Sequence, residues 1–215
     1  MARLTNEEEL KRQTKLWEIE EEVKKKGYKF IAGVDEAGRG PLAGPVYAAA
    51  VILPEDARLD GINDSKKLSP KKRDELFEKI IKIAISYSIF AVDEKEIDQI
   101  NILNATYKAM NGAIENLSVS PDYVLIDGNS IKGIKKPYQT VVKGDAKSIS
   151  IAAASILAKV ARDRYIVDIA KKYPDYGFEK HKGYGTKEHT DAILKYGVCD
   201  IHRRTFLKKL LGDRL

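Results

Sequence analysis

The sequence of 215 residues has few of the side chains that disulfides and zinc sites require. It contains one cysteine, Cys199, which excludes an internal disulfide and favours a reducing compartment. The spacing of this cysteine and the three histidines fits no zinc motif, which favours structural or surface roles for them. Because His181 and His189 flank Tyr184, we expect them to shape the loop around that tyrosine. The third histidine is His202.

Long apolar runs are also missing from the sequence. No stretch approaches the roughly 18 apolar residues of a membrane span, and the N-terminal MARLTNEEELKRQ lacks the apolar segment of a secretory signal. We therefore expect a cytoplasmic protein with no membrane association. Because repeats, low-complexity runs and linkers are absent, a single domain over 1–215 is expected. It would include an N-terminal helical arm (1–27) and a helical C-terminal region (about 180–215).

Charge is abundant and unevenly distributed. Charged residues make up 33% of the chain, and the formal net charge is +6. Residues 1–131 contain 19 Lys and Arg against 23 Asp and Glu, a net −4, whereas 132–215 contain 19 against 9, a net +10. A basic half suggests a polyanionic partner, with nucleic acid first, although a solvated lysine-rich surface would give the same charge.

Strand and helix patterns alternate along the chain and predict one α/β domain with a mixed sheet. Ser69 is a natural N-cap for a helix that begins at Pro70. The AAAS stretch at 152–155 predicts close packing of a helix on the sheet. Strands are predicted at 28–35, 45–53, 85–92, 121–128 and 138–145, and helices at 5–26, after Ser69, at 93–117, 147–174 and 187–196 and around 203–211.

Acidic residues follow three of the predicted strands. Asp35 and Glu36 close the first, and Asp127 and Asp145 close two later ones. Ligands bind at strand ends in open α/β sheets, and four converging carboxylates would repel unless a cation joined them. Oxygen ligands suit Mg²⁺ or Mn²⁺, and two such ions about 4 Å apart can clamp a phosphodiester. The alternative is that each acid is a turn residue, as Asp before glycine at 127–128 would allow.

The segment GRGPLAG, residues 38–44, raises the possibility of nucleotide binding, but its spacing matches neither the dinucleotide motif nor the P-loop. Gly38 and Gly40 lack side chains, so the backbone and Arg39 could face a ligand at close range. The alternative is a tight connection between two adjacent strands, which glycine serves equally well.

Five segments occur in an order that resembles bacterial type 2 ribonuclease H, the ribonuclease HII family, from about residue 28 to 205. They are AGVDEAGRGPLAGPVYAAAVIL, INDSKKLS, VLIDG, VKGDAKSISIAAASILAKVARDR and HKGYGTKEH. The resemblance implies a ribonuclease H-like fold: a five-stranded mixed sheet flanked by helices, with a helical C-terminal part. It also implies that two Mg²⁺ or Mn²⁺ ions are held by the four family carboxylates, which fall on Asp35, Glu36, Asp127 and Asp145.

The resemblance further implies a substrate and a way of reading it. The family cuts on the 5′ side of a ribonucleotide paired to DNA, in hybrids or at single embedded ribonucleotides, and leaves a 3′-hydroxyl and a 5′-phosphate. The backbone of Gly38, Arg39 and Gly40 would contact the 2′-hydroxyl, which separates RNA from DNA. Tyr184 would stack on the next sugar, and Lys66 would lie near the phosphates. The role would be removal of misincorporated ribonucleotides, with primer RNA as a further substrate.

Two alternatives are less consistent with the sequence. Type 3 enzymes usually have a Gly-Lys-Gly loop and an N-terminal binding domain, whereas this loop is Gly-Arg-Gly and only about 28 residues precede the first strand. A non-catalytic binding module would be expected to lack a carboxylate, and all four are present.

The remaining features concern partners and charged side chains. The segment FLKKLLGDRL at 206–215 lacks a sliding-clamp motif and predicts a packed terminal helix, and we expect a monomer. Arg162 and Arg164 could contact phosphate or form ion pairs with Asp163 or Asp168.

Overall fold

The computed structural model describes residues 5–63 and 65–212. Its regular elements alternate along the chain as the sequence predicts. The strands are β1 (Ile31–Ala37), β2 (Val46–Ile52), β3 (Ser86–Val92), β4 (Tyr123–Asp127) and β5 (Tyr138–Val141). The helices are α1 (Asn6–Lys25), α2 (Pro70–Ile83), α3 (Glu94–Glu115), α4 (Ile149–Ala170), α5 (Phe178–His181), α6 (Lys187–Tyr196) and α7 (Arg204–Leu211). Short 3₁₀ turns lie at Ser65–Lys67, Gly144–Ala146 and Pro174–Tyr176.

The five strands form one mixed sheet in the order β3-β2-β1-β4-β5. The central strand β1 is antiparallel to β2 and parallel to β4. In the parallel pair Val34 lies opposite Ile126, so the next residues of the two strands, Asp35 and Asp127, lie side by side. The predicted five-stranded mixed sheet is confirmed.

Helices cover both faces of this sheet. One apolar cluster joins β2, α2 and α4, and another joins β1, β2, β4 and α3. The α4 backbone comes so close to β1 that a Cβ at Gly33 would lie 2.1 Å from the carbonyl carbon of Ser150. Ala152, Ala153 and Ala154 are fully buried, as the predicted close packing requires.

Two of the three strands predicted to carry acids end differently from the prediction. β1 continues to Ala37 and stays paired with β2, so Asp35 and Glu36 lie inside the strand rather than at its end. β5 ends at Val141, because Lys143 takes a left-handed backbone conformation with φ of 57°. Asp145 therefore lies in the following 3₁₀ turn and not at a strand end.

Several predicted helices form, with local adjustments. Thr5 caps α1 and forms a capping box with Glu8, and Ser69 caps α2 ahead of Pro70. α3 is interrupted at Asn101, whose backbone is non-helical and whose side-chain oxygen accepts hydrogen bonds from the next turn.

The C-terminal helix α7 packs against the rest of the fold. Its buried residues Leu207 and Leu211 join an apolar cluster that includes Phe178 and Ile193, which confirms the predicted packed helix. None of the helices within the described ranges is long and apolar enough to cross a membrane.

Candidate active site

The predicted acidic residues gather where β1 and β4 end. Asp35 is buried and its Oδ1 accepts the Glu36 N–H at 2.7 Å. Asp127 Oδ1 accepts the Gly144 N–H at 2.6 Å. That hydrogen bond ties the end of β4 to the turn that carries the half-buried Asp145. The fourth acid is thus brought to the site by a turn.

Three of these carboxylates act on one another electrostatically. Burial raises the pKa of Asp35 well above its ordinary value, and the neighbouring charges of Glu36 and Asp127 raise it further. Burial also raises the pKa of Glu36, against the opposing effect of Arg39, whose Nη1 lies 3.4 Å from Glu36 Oε1. The Ser155 hydroxyl hydrogen-bonds with Asp35 and partly offsets the shift. This repulsion is the property that a bound cation would relieve.

The donor set suits a hard divalent cation, since all four predicted ligands offer carboxylate oxygens. Within residues 5–63 and 65–212, no three His, Cys, Asp or Glu side chains are already arranged to enclose a metal ion. The acids are therefore neighbours that repel one another and are not in a metal-coordinating arrangement in this structure.

Two buried arginines hold the glycine loop beside these acids. Arg162 and Arg203 are both 0% exposed and donate to six of the eight carbonyls of residues 38–45. Arg203 bonds the carbonyls of Gly38, Arg39, Pro41 and Gly44 at 2.6–3.0 Å, and Arg162 bonds those of Ala43, Pro45 and Lys182 at 3.1 Å.

This result corrects the expectation for both arginines of α4. Arg162 is buried and hydrogen-bonds the loop carbonyls, whereas the sequence led us to expect a phosphate contact or an ion pair with Asp163 or Asp168. Arg164 forms its ion pairs with Asp74 and Glu78 of α2, at 3.0 and 3.2 Å.

The other predicted substrate residues lie around this loop. Tyr184 is 42% exposed, and Gly40 faces its ring. Lys159 Nζ lies 6.0 Å from the ring centroid. Lys66 is exposed on the turn after Ser65. Tyr184 and the loop therefore share one surface, and Lys66 lies on a neighbouring turn.

A chain of hydrogen bonds through His202 and His189 holds the backbone of Tyr184. The Cys199 N–H donates to His202 Nδ1 at 2.9 Å, the Nε2 atoms of His202 and His189 are 3.1 Å apart, and His189 Nδ1 lies 2.9 Å from the Tyr184 carbonyl oxygen. If both rings are neutral, every one of these contacts has one donor and one acceptor. Since the Gly183 N–H donates to His181 Nδ1, both flanking histidines contact the loop, as expected.

This histidine pair predicts acid sensitivity of the fold. Burial is the main cause that lowers the pKa of His189 and of His202 from 6.5 to about 4. Between those values the unfolded chain binds more protons than the native protein, so stability falls as the pH drops from 6.5 towards 4. We expect urea unfolding to show a loss of about 2–4 kcal/mol from this pair between pH 7 and pH 5.

A His202→Gln variant provides the comparison for that measurement. It removes one titrating ring, so about half of the histidine contribution to the pH dependence should disappear. An unchanged slope of stability against pH in this variant would contradict the assignment.

The strand order, together with the acids near the ends of β1 and β4, identifies a ribonuclease H-like fold. A crystal structure of the ribonuclease H2 from Pyrococcus horikoshii matches with a TM-score of 0.72 and 31% identity, over 85% of this chain and 97% of that one. A ribonuclease HIII structure in complex with Mn²⁺ matches with a TM-score of 0.65 at 16% identity, over 86% of this chain and 70% of that one, which supports the fold alone.

Sequence comparisons make the assignment specific. The family model for ribonuclease HII matches residues 32–209. Ribonuclease HII of Caldicellulosiruptor bescii is 61% identical over 91% of this chain and 95% of its own length, and that of Acetivibrio thermocellus is 56% identical over 97% and 82%. The chain belongs to the ribonuclease HII family. It is a ribonuclease H, an endonuclease of a family that depends on divalent metal.

Proposed function

We propose that the protein cuts the RNA strand of RNA–DNA hybrids and also cuts 5′ of single ribonucleotides embedded in duplex DNA. The products would be a 3′-hydroxyl and a 5′-phosphate. The observation that carries this proposal is the cluster of repelling carboxylates beside a glycine loop in which Arg39 and Gly40 are exposed. Such a cluster suits metal-assisted cleavage, and the exposed Gly40, which has no side chain, suits close contact with a sugar.

The proposed metal ligands are Asp35, Glu36, Asp127 and Asp145, which would hold two Mg²⁺ or Mn²⁺ ions. When bound, such ions activate water and stabilise the leaving oxygen. The protein's own contribution is to fix the acids: β1 and β4 place two of them side by side, and the Gly144 N–H keeps Asp127 oriented. Arg39 would help to balance the charge of Glu36.

Recognition of the ribonucleotide is assigned to the surface made by the loop and the tyrosine. The backbone of Gly38, Arg39 and Gly40 would contact the 2′-hydroxyl, while Tyr184 stacks on the following sugar and tests it for deoxyribose. Lys66 would approach a phosphate of the same duplex. The buried arginines support this assignment because they fix the loop before substrate arrives.

The proposed cellular role is the first incision that removes ribonucleotides from DNA, in repair and replication, by a monomeric cytoplasmic enzyme. It would act as one catalytic domain that includes the N-terminal arm. One similar structure, at 29% identity, is a complex of PCNA with the ribonuclease HII of Archaeoglobus fulgidus. For this chain we propose nucleic acid as the partner. We do not propose that α7 docks onto another protein, because its Leu207 and Leu211 already pack in the core.

The direct test is cleavage of an end-labelled DNA duplex that contains one ribonucleotide, with Mg²⁺, Mn²⁺ or EDTA. The proposal expects a single cut on the 5′ side of the ribonucleotide with metal and none in EDTA. Cleavage of long hybrids alone would favour the type 3 alternative, and no cleavage with either metal would refute the proposal.

Replacing Tyr184 should reduce selectivity for the RNA–DNA junction. Tyr184→Ala removes both the stacking surface and the hydroxyl, so it should cost more than Tyr184→Phe, with a loss of roughly 1–3 kcal/mol in junction discrimination. The measurement is the ratio of kcat/KM on a junction duplex to that on a continuous hybrid. Equal ratios in wild type and both variants would contradict the stacking role.

The two glycines of the loop offer a matched pair of substitutions. A Cβ at Gly38 would lie 2.1 Å from Arg162 Nε at a φ of +98°, so Gly38→Ala should cost about 2–3 kcal/mol of folding stability. At Gly40 the nearest atom is the Tyr184 Cε1, 3.7 Å away, so Gly40→Ala should leave stability within about 0.5 kcal/mol.

Cleavage kinetics then separate the substrate contact from the fold. We expect Gly40→Ala to lower kcat/KM on the single-ribonucleotide duplex about tenfold, because its methyl group would occupy the space of the sugar. Wild-type kinetics in this variant would count against close contact at Gly40.

A further inference from the structure

The N-terminal helix α1 carries a carboxylate that is buried in the interior of the protein. Glu20 is 2% exposed, and burial raises its pKa. Its Oε1 accepts hydrogen bonds from Ser148 Oγ at 2.6 Å, from Ser150 Oγ at 2.6 Å and from the Ser150 N–H at 3.0 Å. Its Oε2 has no hydrogen-bond partner among the described residues. Burying a carboxylate in this way is costly, so its position requires an explanation beyond the packing of α1.

The serines that contact Glu20 form the beginning of α4. Ser148 is the N-cap of that helix and Ser150 lies in its first turn. A carboxylate is favourable at this end of a helix, where N–H groups are unpaired and the helix dipole is positive. Glu20 therefore fixes the start of α4, which lies against β1 at Gly33, two residues before Asp35.

A short path of hydrogen bonds leads from Glu20 to the candidate metal ligands. The Ser148 N–H donates to the Gly144 carbonyl at 2.8 Å, and the Gly144 N–H donates to Asp127 Oδ1 at 2.6 Å. Asp145 is the next residue of the same turn. Movement of Ser148 would thus shift the turn that orients Asp127 and carries Asp145.

The other end of α1 holds a second segment of the site. Its side chains bind the loop at 59–62, which leads to the turn that carries Ser65 and Lys66. Ser65 Oγ in turn lies 3.1 Å from Ser155 Oγ, next to Asp35. In the contacts between α1 and the loop at 59–62, Glu9 accepts the Gly61 N–H at 2.8 Å and Arg12 donates to the Ile62 carbonyl. Gln13 donates to Asp60 at 2.7 Å and accepts the Leu59 N–H at 3.3 Å.

We propose that α1 is a positioning element of the catalytic site, in which Glu20 holds the turn around Asp145 and orients Asp127 through Ser148 and Gly144. This inference rests on the proposed metal ligands. It assigns a role to a helix that precedes the residues matched by the family model, which begin at 32. Glu20 touches no reacting atom in this account and acts through the turn.

The test measures Mn²⁺ binding to the substrate-free protein by isothermal titration calorimetry. Glu20→Ala should weaken Mn²⁺ binding about tenfold, the size of effect typical of groups that orient metal ligands. It should also accelerate amide hydrogen exchange at 144–148. Glu20→Gln should restore both, because its amide oxygen can accept the same hydrogen bonds. Equal losses in the Ala and Gln variants would overturn the proposal.

Leu16→Ala provides the matched control for a purely structural effect. Leu16 is buried on the same face of α1 and packs into the apolar cluster of α4. Its truncation should lower thermal stability while Mn²⁺ affinity and exchange at 144–148 stay at wild-type values. If Leu16→Ala weakens Mn²⁺ binding as much as Glu20→Ala does, then α1 acts through stability alone and the inference is wrong.

Asp127→Asn separates failure of this inference from failure of the proposed site. If Asp127→Asn keeps wild-type Mn²⁺ binding and cleavage, the proposed ligands are wrong. If it loses both while Glu20→Ala keeps wild-type Mn²⁺ affinity, only the inference about α1 fails. Should Glu20→Ala not fold, Glu20→Asp replaces it, because the shorter side chain withdraws the carboxylate from Ser148 and Ser150.

Discussion

Replacing Asp127 with Asn is expected to slow cleavage by at least about 1,000-fold, equivalent to about 4 kcal/mol of transition-state stabilisation. The substitution keeps the size of the side chain and the Oδ1 atom that accepts the Gly144 N–H, so the turn that carries Asp145 should stay in place. The loss is that of one negative charge among the proposed metal ligands. Single-turnover cleavage of the single-ribonucleotide duplex at saturating enzyme measures it.

The same change should stabilise the protein when metal is withheld. Asp35 and Asp127 repel each other, so removing either charge should raise the Tm in EDTA by roughly 2–4 °C. In Mg²⁺ this advantage should shrink or reverse, because wild type then gains stability from the bound ion. Affinity for an uncut duplex should change by no more than a few-fold.

Asp122→Asn is the matched control at the opposite end of β4. Asp122 accepts the N–H groups of Lys29 and Phe30, which precede β1, and lies away from the other acids. It should lose some stability and keep wild-type cleavage. If Asp35→Asn and Asp127→Asn both retain cleavage near the wild-type rate, the carboxylates are not the catalytic metal ligands.

Replacing Arg203 with Met is expected to cost about 3–5 kcal/mol of folding stability. Arg203 is buried, and its guanidinium donates to the carbonyls of Gly38, Arg39, Pro41 and Gly44. Burial, with a contribution from nearby Arg162, already lowers the pKa of Arg203, so the side chain is held there at a cost. Met would leave four carbonyls of the loop without this donor, and each buried unpaired group is costly.

Arg204→Met controls for the loss of a positive charge at a neighbouring position. Arg204 is exposed at the start of α7, so its replacement should change stability by no more than about 0.5 kcal/mol. Arg203→Lys should recover only part of the loss, because an ammonium cannot reach four carbonyls as a planar fork does. Urea unfolding measures all three variants. A loss below about 1 kcal/mol in Arg203→Met would show that the loop does not depend on this residue.

Much of the fold follows from sequence patterns whose physical cause is local. The helix cap at Ser69, the alternation of strands and helices, and the small residues at 152–155 predicted elements that the structure confirms within a few residues. The neighbourhood of Asp35 and Asp127 also follows, because parallel strands end at one edge of the sheet. The turn that carries Asp145 did not follow, since it depends on a left-handed residue at Lys143.

The supporting charged residues were missed because a charged side chain is usually a surface residue. For Arg162 a signal existed: it follows Ala154 and Ala158 at intervals of four and precedes Ile166, on the buried face of α4. Glu20 likewise lies at helical spacing between Leu16 and Val23. A charged residue inside an apolar stripe therefore indicates a buried side chain that hydrogen-bonds backbone groups. This pattern can be recognised in the sequence.

Arg203 offered no such signal. It precedes a short helix and meets the glycine loop only through the tertiary fold. The order of the histidine hydrogen bonds is equally a product of packing, since His189 and His202 lie on different segments. Such residues become visible only when segments distant in sequence are brought together.

The distances in sequence between these partners set the order in which the protein can be built during translation. Glu20 cannot form its hydrogen bond with Ser148 until 128 further residues have been added. A ribosome that adds about 5–20 residues per second needs roughly 6–26 s for this. Gly38 waits for Arg203, 165 residues later. The nascent chain therefore emerges with Glu20 lacking its partners on α4 and with the glycine loop unsupported by Arg203. We expect the nuclease to stay inactive on the ribosome until its last helix begins to form.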